Sequence, residues 1–328
     1  METQTITIIG LGRLGASIGL AIKNSPLEVT IIGHDIDRDR AQKAQGEVGA
    51  VDKIEWNVVN AARKADIIAL AIPVSQLEAT LSAVGQDLQE HTLVIDLSHL
   101  KGDGVKWAKQ YITQGHYVGA VPVLPPASLA DGRTDVAAAS ADLFRNGGFC
   151  LMPSASVEPA AVETAVNFGL LLGAKPFFLD PDEYDSLVQG TETLPNLAAA
   201  AMFSAIHKAA GWRDILRLAG QSFALSTRPL ENEADIALMA LHNREASLRW
   251  LDAMMDELKL MRQWVHEGDL EMFTLYLKEL GDERFGWLAL RERNDWDERE
   301  TTDVQHRSFT ERMLGGFVTG STRKNGDR

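Results

Sequence analysis

Thr5-Ile6-Thr7-Ile8-Ile9-Gly10-Leu11-Gly12-Arg13-Leu14-Gly15 decides the reading of this chain, because an apolar strand breaks there at a G-x-G-x-x-G turn that opens a helix. Gly10 makes the tight turn, Gly12 lets the backbone approach a pyrophosphate, and Gly15 lets the helix pack close to the sheet. A pyrophosphate would sit on the helix N-terminus, with Leu11, Arg13 and Leu14 completing the turn around it. A second strand, Val29-Thr30-Ile31-Ile32-Gly33-His34-Asp35, follows. Asp35 lies about 20 residues past the last glycine, where an acidic side chain accepts hydrogen bonds from a ribose 2′-hydroxyl. The expected cofactor is therefore NAD, with NADP left open because Arg38 and Arg40 stand just downstream.

Working outward, strands and helices alternate. Asp66-Ile67-Ile68-Ala69-Leu70-Ala71-Ile72-Pro73 and Thr92-Leu93-Val94-Ile95-Asp96-Leu97-Ser98 are continuous apolar runs, which suit strands buried on both faces of a parallel sheet. Leu77, Leu81, Val84 and Leu88 recur at helical spacing between them, with Ser75 as the expected N-cap. Further strands are expected over 117–123, 148–152 and 175–179, the last two flanking a helix over 157–172. Ligands in such a sheet lie beyond the carboxyl ends of the strands, so Ala71, Ile72, Pro73 and Ser98 should converge on the cofactor.

After Asp180 the strand signal fades. An alanine-rich helix over 197–210 and amphipathic helices over 236–265 and 269–293 are expected, the second carrying Leu251, Met254, Leu258, Met261 and Val265 on one stripe. The fold class is thus α/β: a Rossmann-type, doubly wound, mostly parallel sheet over 1–181, an all-α substrate and dimerisation domain over 182–294, and a loosely held tail over 295–328. An apolar stripe of this size is either internal core or shared with a second copy, and a homodimer is expected.

Composition narrows the partners. The 328 residues are 45% hydrophobic and carry a net charge of -14, which disfavours nucleic acid and requires a local positive site for any small anionic substrate. No apolar run reaches the roughly 20 residues that span a bilayer, and no secretory pattern opens the chain, so a cytoplasmic enzyme is expected. The single cysteine, Cys150, reads as a small buried hydrophobe. No histidine pair has metal-ligand spacing with a third partner, and no metal is expected. His207, on the alanine-rich helix, reads as a core residue.

The order of Gly10-Leu11-Gly12-Arg13-Leu14-Gly15-Ala16-Ser17, Gly33-His34-Asp35, Ala65 to Val74, Ile95-Asp96-Leu97-Ser98-His99-Leu100-Lys101, Tyr117-Val118-Gly119-Ala120, Leu143-Phe144 and Gly211-Trp212-Arg213-Asp214-Ile215-Leu216-Arg217-Leu218-Ala219 resembles the prephenate dehydrogenase family. The resemblance covers residues 5–290. It implies a dehydrogenase that oxidises prephenate or arogenate with NAD or NADP and expels carbon dioxide, in tyrosine biosynthesis, and that pairs a dinucleotide domain with a helical dimerisation domain.

The departures from the family pattern fall in the substrate pocket. Where the family carries Ser-His-Leu-Pro-His, whose first histidine takes the ring-hydroxyl proton, this chain reads Glu192-Thr193-Leu194-Pro195-Asn196. Where it carries His-Pro-Met-Ala-Gly, this chain reads Val121-Pro122-Val123-Leu124-Pro125. A threonine hydroxyl is far too weak a base for that step near neutral pH. Arg217 matches the family's carboxylate-gripping arginine, and a surface helix charge or an ion pair with Asp214 is its alternative role. Ser98 is expected to hydrogen-bond substrate or cofactor, or else to cap a helix. Glu192 and His99 are the candidate proton acceptors by neighbourhood. A related dehydrogenase for another small hydroxy acid, and a dinucleotide-binding protein without catalysis, stay open beside the family reading.

Overall fold

β1 (Thr5–Ile9) is buried along almost its whole length, and so are the strands beside it, β2 (Thr30–His34) and β4 (Ile67–Leu70). The computed structural model describes residues 4–129, 131–294 and 296. β3 (Lys53–Ile54), β5 (Leu93–Asp96), β6 (His116–Val123), β7 (Gly148–Pro153) and β8 (Lys175–Phe178) complete one eight-stranded sheet in the order β3-β2-β1-β4-β5-β6-β7-β8. Neighbouring strands run parallel except β6 and β7, which pair antiparallel from Val118↔Pro153 to Val123↔Gly148. The first six strands have the doubly wound order 3-2-1-4-5-6, whose direction of winding reverses between β1 and β4. A crevice opens there beyond the strand ends, beside Gly12 and Pro73.

The helices of the sheet region are α1 (Arg13–Lys23), α2 (Arg38–Gly46), α3 (Val58–Ala62), α4 (Val74–Val84), α5 (Lys101–Tyr111), α6 (Pro126–Leu129) and α7 (Pro159–Leu171). Two apolar layers flank the sheet. One joins Ile6, Ile18, Ile31, Phe144 and Phe149, and the other joins Ile68, Leu77, Leu81 and Val94. The expected elements recur with shifted ends, and α2, α3 and α5 are additions. Charged residues dominate the exposed face of α2 and interrupt the apolar spacing of α5, which hides both from a periodicity reading. Ser75 is not the cap of α4: the Asp235 carboxylate, 160 residues further on, accepts from the amides of Val74 (3.2 Å) and Ser75 (2.9 Å). Cys150 is buried on β7, as expected, and burial pushes its thiol up to about 12.

The rest of the chain is helical: α8 (Pro181–Val188), α9 (Leu194–His207), α10 (Trp212–Arg217), α11 (Gln221–Thr227), α12 (Glu233–His242), α13 (Arg244–Glu267) and α14 (Leu270–Arg293). The helix expected over 236–265 is two, because Asn243 leaves helical geometry at φ -119°, ψ 67°. His207, expected in the core, is exposed and packs its ring 4.6 Å from that of Trp212. Two compact units divide after Met255. Tyr184, Val188 and Met239 belong to the first, because they share a buried cluster with Val74, Leu100 and Met152. In the second unit Trp264 and Tyr276 are buried against each other, ring centroids 4.9 Å apart, and the Tyr276 hydroxyl donates to Glu257 at 2.6 Å. The tail expected over 295–328 lies, apart from Trp296, outside the described residues.

Candidate active site

Gly10 adopts φ +93°, in the left-handed region that a side chain disfavours, and its amide donates to the carbonyl of His34 at 2.8 Å. A Cβ there would collide with the carbonyl of Ala71, and one on Gly15 would collide with the carbonyl of Gly10. Gly12 differs: among the described residues nothing lies within 4 Å of the place its Cβ would take. It is the N-cap of α1, and no side chain among the described residues caps that helix. The Arg13 amide donates to the Thr134 carbonyl at 3.3 Å, and the open space at Gly12, before the positive end of the helix dipole, fits a pyrophosphate.

Asp35 directly follows β2 and is 5% exposed. Its carboxylate accepts from the amides of Leu11 and Asp37, both at 2.8 Å, and Arg40 approaches to 3.3 Å. The carboxylate thus fixes the glycine turn and engages the arginine that could otherwise meet a 2′-phosphate. Arg40 reaches both carboxylate oxygens, so with the two amides it takes up the roughly four acceptor positions of the carboxylate, and a ribose hydroxyl there would take the place of Arg40.

A cleft of about 1290 Å³ runs from this turn, lined at one end by Gly12, Arg13, Asp37, Arg40 and Lys43 and elsewhere by Pro73, His99, Glu192, Thr193 and Asn196. Gly10, Leu11, Leu14, Gly15, Asp35, Ala71 and Ile72, expected at the cofactor, are not among the lining residues. A single π-helical turn, Gln189–Thr193, brings Glu192 and Thr193 to the cleft between α8 and α9. Such wide turns recur at functional sites because they displace a side chain from the regular helical face. Gly190 gives the turn its room, since a Cβ there would lie 2.7 Å from the Trp250 ring. Thr193 is 1% exposed, and its hydroxyl has no hydrogen-bond partner among the described residues.

Two candidates are placed otherwise than expected. Ser98 is buried and turned from the cleft: its hydroxyl donates to Asp96 at 3.1 Å and its amide donates to the same carboxylate at 2.9 Å. The demand comes from Asp96, which is fully buried and needs donors around its charge. His99, one residue on, lines the cleft instead. Arg217 is exposed on α10, a helix with no buried residue, so nothing in the single chain turns it toward Thr193.

Beneath the cleft lies a cluster the sequence reading did not find. Lys101, 0% exposed, donates its ammonium to the Asp96 carbonyl (2.7 Å) and carboxylate (3.1 Å), and the Tyr117 hydroxyl donates to that carboxylate at 2.8 Å. Burial pushes the Lys101 ammonium down while Asp96 opposes it, and burial with Asp96 pushes the Tyr117 phenol well up. Asp185 accepts from the amides of Lys101 and Gly102 at 2.8 and 2.7 Å, capping α5; burial, opposed by those amides, pushes its carboxyl up. Asp96, Ser98 and Lys101 in an otherwise apolar strand end were the available signal, since buried charge survives only in pairs. Among the cations lining the cleft, Arg13 binds Asp131 through two 2.7 Å bonds, and Arg228 donates to the Gly132 carbonyl and to Thr134. Among the described residues no group of three His, Cys, Asp or Glu side chains could hold a metal.

The prephenate dehydrogenase nucleotide-binding domain model matches residues 18–177, and the prephenate dehydrogenase dimerization domain model matches 180–279. A prephenate dehydrogenase of Bacillus subtilis is 30% identical over 306 residues, covering 88% of this chain and 77% of that protein.

The chain belongs to the prephenate dehydrogenase family.

Other relatives of this family member include a cyclohexadienyl dehydrogenase of Zymomonas mobilis, 25% identical over 296 residues, covering 88% of this chain and 97% of that protein. In fold it is similar to the Aquifex aeolicus prephenate dehydrogenase solved with hydroxyphenyl propionate and NAD+, with a TM-score of 0.73, 20% identity and coverage of 87% and 99%. A Synechocystis arogenate dehydrogenase superposes with a TM-score of 0.62, at 21% identity and 87% and 100% coverage. This member of the family is a dehydrogenase built on a nucleotide-binding domain.

Proposed function

We propose that the protein oxidises prephenate or arogenate with NAD and releases carbon dioxide, the oxidative step that makes the aromatic ring in tyrosine biosynthesis. The supporting observation is the single cleft that joins Gly12 and Arg13 to Thr193 and Asn196. The nicotinamide ring, when bound, supplies the hydride acceptor. Gly10, Leu11, Gly12, Leu14 and Gly15 shape the pyrophosphate cradle, Arg13 meets its charge, and Asp35 accepts from the ribose. Ala71, Ile72 and Pro73, at the end of β4, wall the crevice where the dinucleotide crosses the sheet. Arg40, already engaged by Asp35, favours NAD over NADP. Arg228 is the cation assigned to a substrate carboxylate in place of Arg217. Thr193 and Asn196 donate hydrogen bonds to the substrate, for which the unpaired Thr193 hydroxyl is suited. Ser98 supports the site from behind through Asp96.

The helical half, from about residue 182, is proposed to hold the substrate and to pair two copies into a homodimer. Leu218 on α10 is 85% exposed and Leu241 on α12 is 67% exposed, and Val265 on α13 and Phe285 on α14 are 68% and 75% exposed. Apolar surface of that kind is ordinarily covered by a partner. A cytoplasmic location is the reading that a soluble substrate and cofactor support; no helix among the described residues is long and apolar enough to cross a membrane.

A second reading is a related dehydrogenase acting on another small hydroxy acid, favoured by Thr193 standing in the family's proton-accepting position. The assay is direct: purified protein, NAD and either prephenate or arogenate, with reduced cofactor followed by absorbance and carbon dioxide trapped. Equal yields of both products support the proposal. No turnover on either substrate, with turnover on a simple hydroxy acid, establishes the second reading.

A further inference from the structure

We infer that His99, just past the end of β5, is the proton acceptor of the reaction, with Tyr184 as its positioning residue. The inference rests on the proposed oxidation of a ring alcohol. His99 lines the same cleft as Gly12 and Thr193, three residues past the end of β5, at the carboxyl edge of the sheet. Its Nδ1 lies 3.0 Å from the Tyr184 hydroxyl. Tyr184 is 9% exposed, and burial, with the charge of Glu192, pushes its phenol well above its usual value, so it stays protonated near neutral pH. The assignment takes the tautomer in which Nδ1–H donates to the phenol oxygen and the Nε2 lone pair accepts the proton. Thr193 has no comparable capacity, and its hydroxyl lacks any partner that could act as base for it.

The step balances as follows. The O–H proton of the ring carbinol moves to Nε2 of His99, the C–H electron pair leaves as hydride to oxidised nicotinamide, and the carbinol becomes a carbonyl. The ring-carboxylate C–C bond then breaks, carbon dioxide departs, and its electron pair completes the aromatic ring as a phenolate. His99 returns its proton to that oxygen, so the products are the phenol, carbon dioxide and reduced nicotinamide. The titratable and charged groups around His99 are Tyr184 and Glu192 along the cleft, with the Asp96–Lys101 pair and Asp185 behind.

The test uses the full-length protein with His99→Ala, His99→Gln, Tyr184→Phe and Glu192→Gln. Wild-type kcat/KM should rise with pH along a single limb that reports the proton acceptor. His99→Ala and His99→Gln should lose that limb and about 10² to 10⁴ in kcat, keep their affinity for NAD, and regain rate in His99→Ala when free imidazole is added. Tyr184→Phe should shift the limb and the nitrogen chemical shifts of the His99 ring, which need no turnover to be read. Glu192→Gln should keep the limb. An active wild type whose His99 variants retain the limb and lie within about threefold in kcat overturns the assignment, as does a limb that vanishes in Glu192→Gln. A wild type inert on prephenate and arogenate overturns the functional reading and the base with it.

Discussion

The two ends of the cleft are built by different means. At the cofactor end the backbone does the recognition: Gly10 is forced by φ +93°, and Gly12, at the N-terminus of α1, leaves open space where its Cβ would be. Side chains enter only as supports, such as the Asp35 carboxylate on the Leu11 amide. At the substrate end side chains do the recognition, and they rest on a fully buried ion pair, Lys101 with Asp96, that touches no ligand. Backbone recognition tolerates little change, because only glycine fits a positive φ pressed against a carbonyl. Side-chain recognition can be rewritten one residue at a time while the support stays.

That contrast is broken most severely by Gly10→Val, whose branched side chain would meet the carbonyl of Ala71 in a backbone region β-branched residues avoid. Calorimetry should detect no NAD binding at millimolar concentration. Affinity within tenfold of wild type would mean that the turn is not the pyrophosphate cradle. Lys101→Met comes next, because it leaves the Asp96 charge buried without its cation. Urea unfolding should show a loss of about 3–5 kcal/mol, and a loss below about 1 kcal/mol would remove the ion pair as the support of the substrate end.

Much of the first contrast was legible in the sequence. The strand, the glycines and Asp35 sit in consecutive order, and each glycine has one local reason that needs no knowledge of distant residues. The substrate end was legible only in part. Glu192, Thr193 and Asn196 came to the cleft, yet the choice between Ser98 and His99 depends on which neighbour satisfies Asp96, and Asp96 is satisfied by Lys101 and Tyr117 from later in the chain. The cap of α4 was misassigned to Ser75 for the same reason, since Asp235 is brought there by tertiary packing. Arg217 matched a motif, but a motif does not state which face of a helix a single chain buries.

Smaller effects sharpen the comparison. Asp235→Ala removes a cap that joins the helical half to α4 and should cost about 1 kcal/mol, with NAD affinity unchanged; a marked loss of NAD affinity would show that the two ends are coupled through that helix. The smallest effect is a pH dependence. Burial raises the Asp66 carboxyl, but the amides of Gln4 and Thr5 and the His91 ring outweigh it and hold it below its usual range. A depressed carboxylate stabilises the folded chain above its unfolded value of about 3.9 and loses that contribution as pH falls through its lower folded value. Unfolding midpoints should therefore fall as pH drops below about 4, and Asp66→Asn should lack that part of the fall. An identical pH profile in the variant would remove Asp66 as its source.

The most direct measurement of the central claim, that this cleft couples hydride removal to decarboxylation, uses prephenate and arogenate carrying deuterium at the ring carbinol carbon. With unlabelled NAD and wild-type protein, reduced cofactor from the accepted substrate should contain one deuterium for each carbon dioxide released. Carbon dioxide released without deuterium in the cofactor, or no reaction with either labelled substrate, would contradict it.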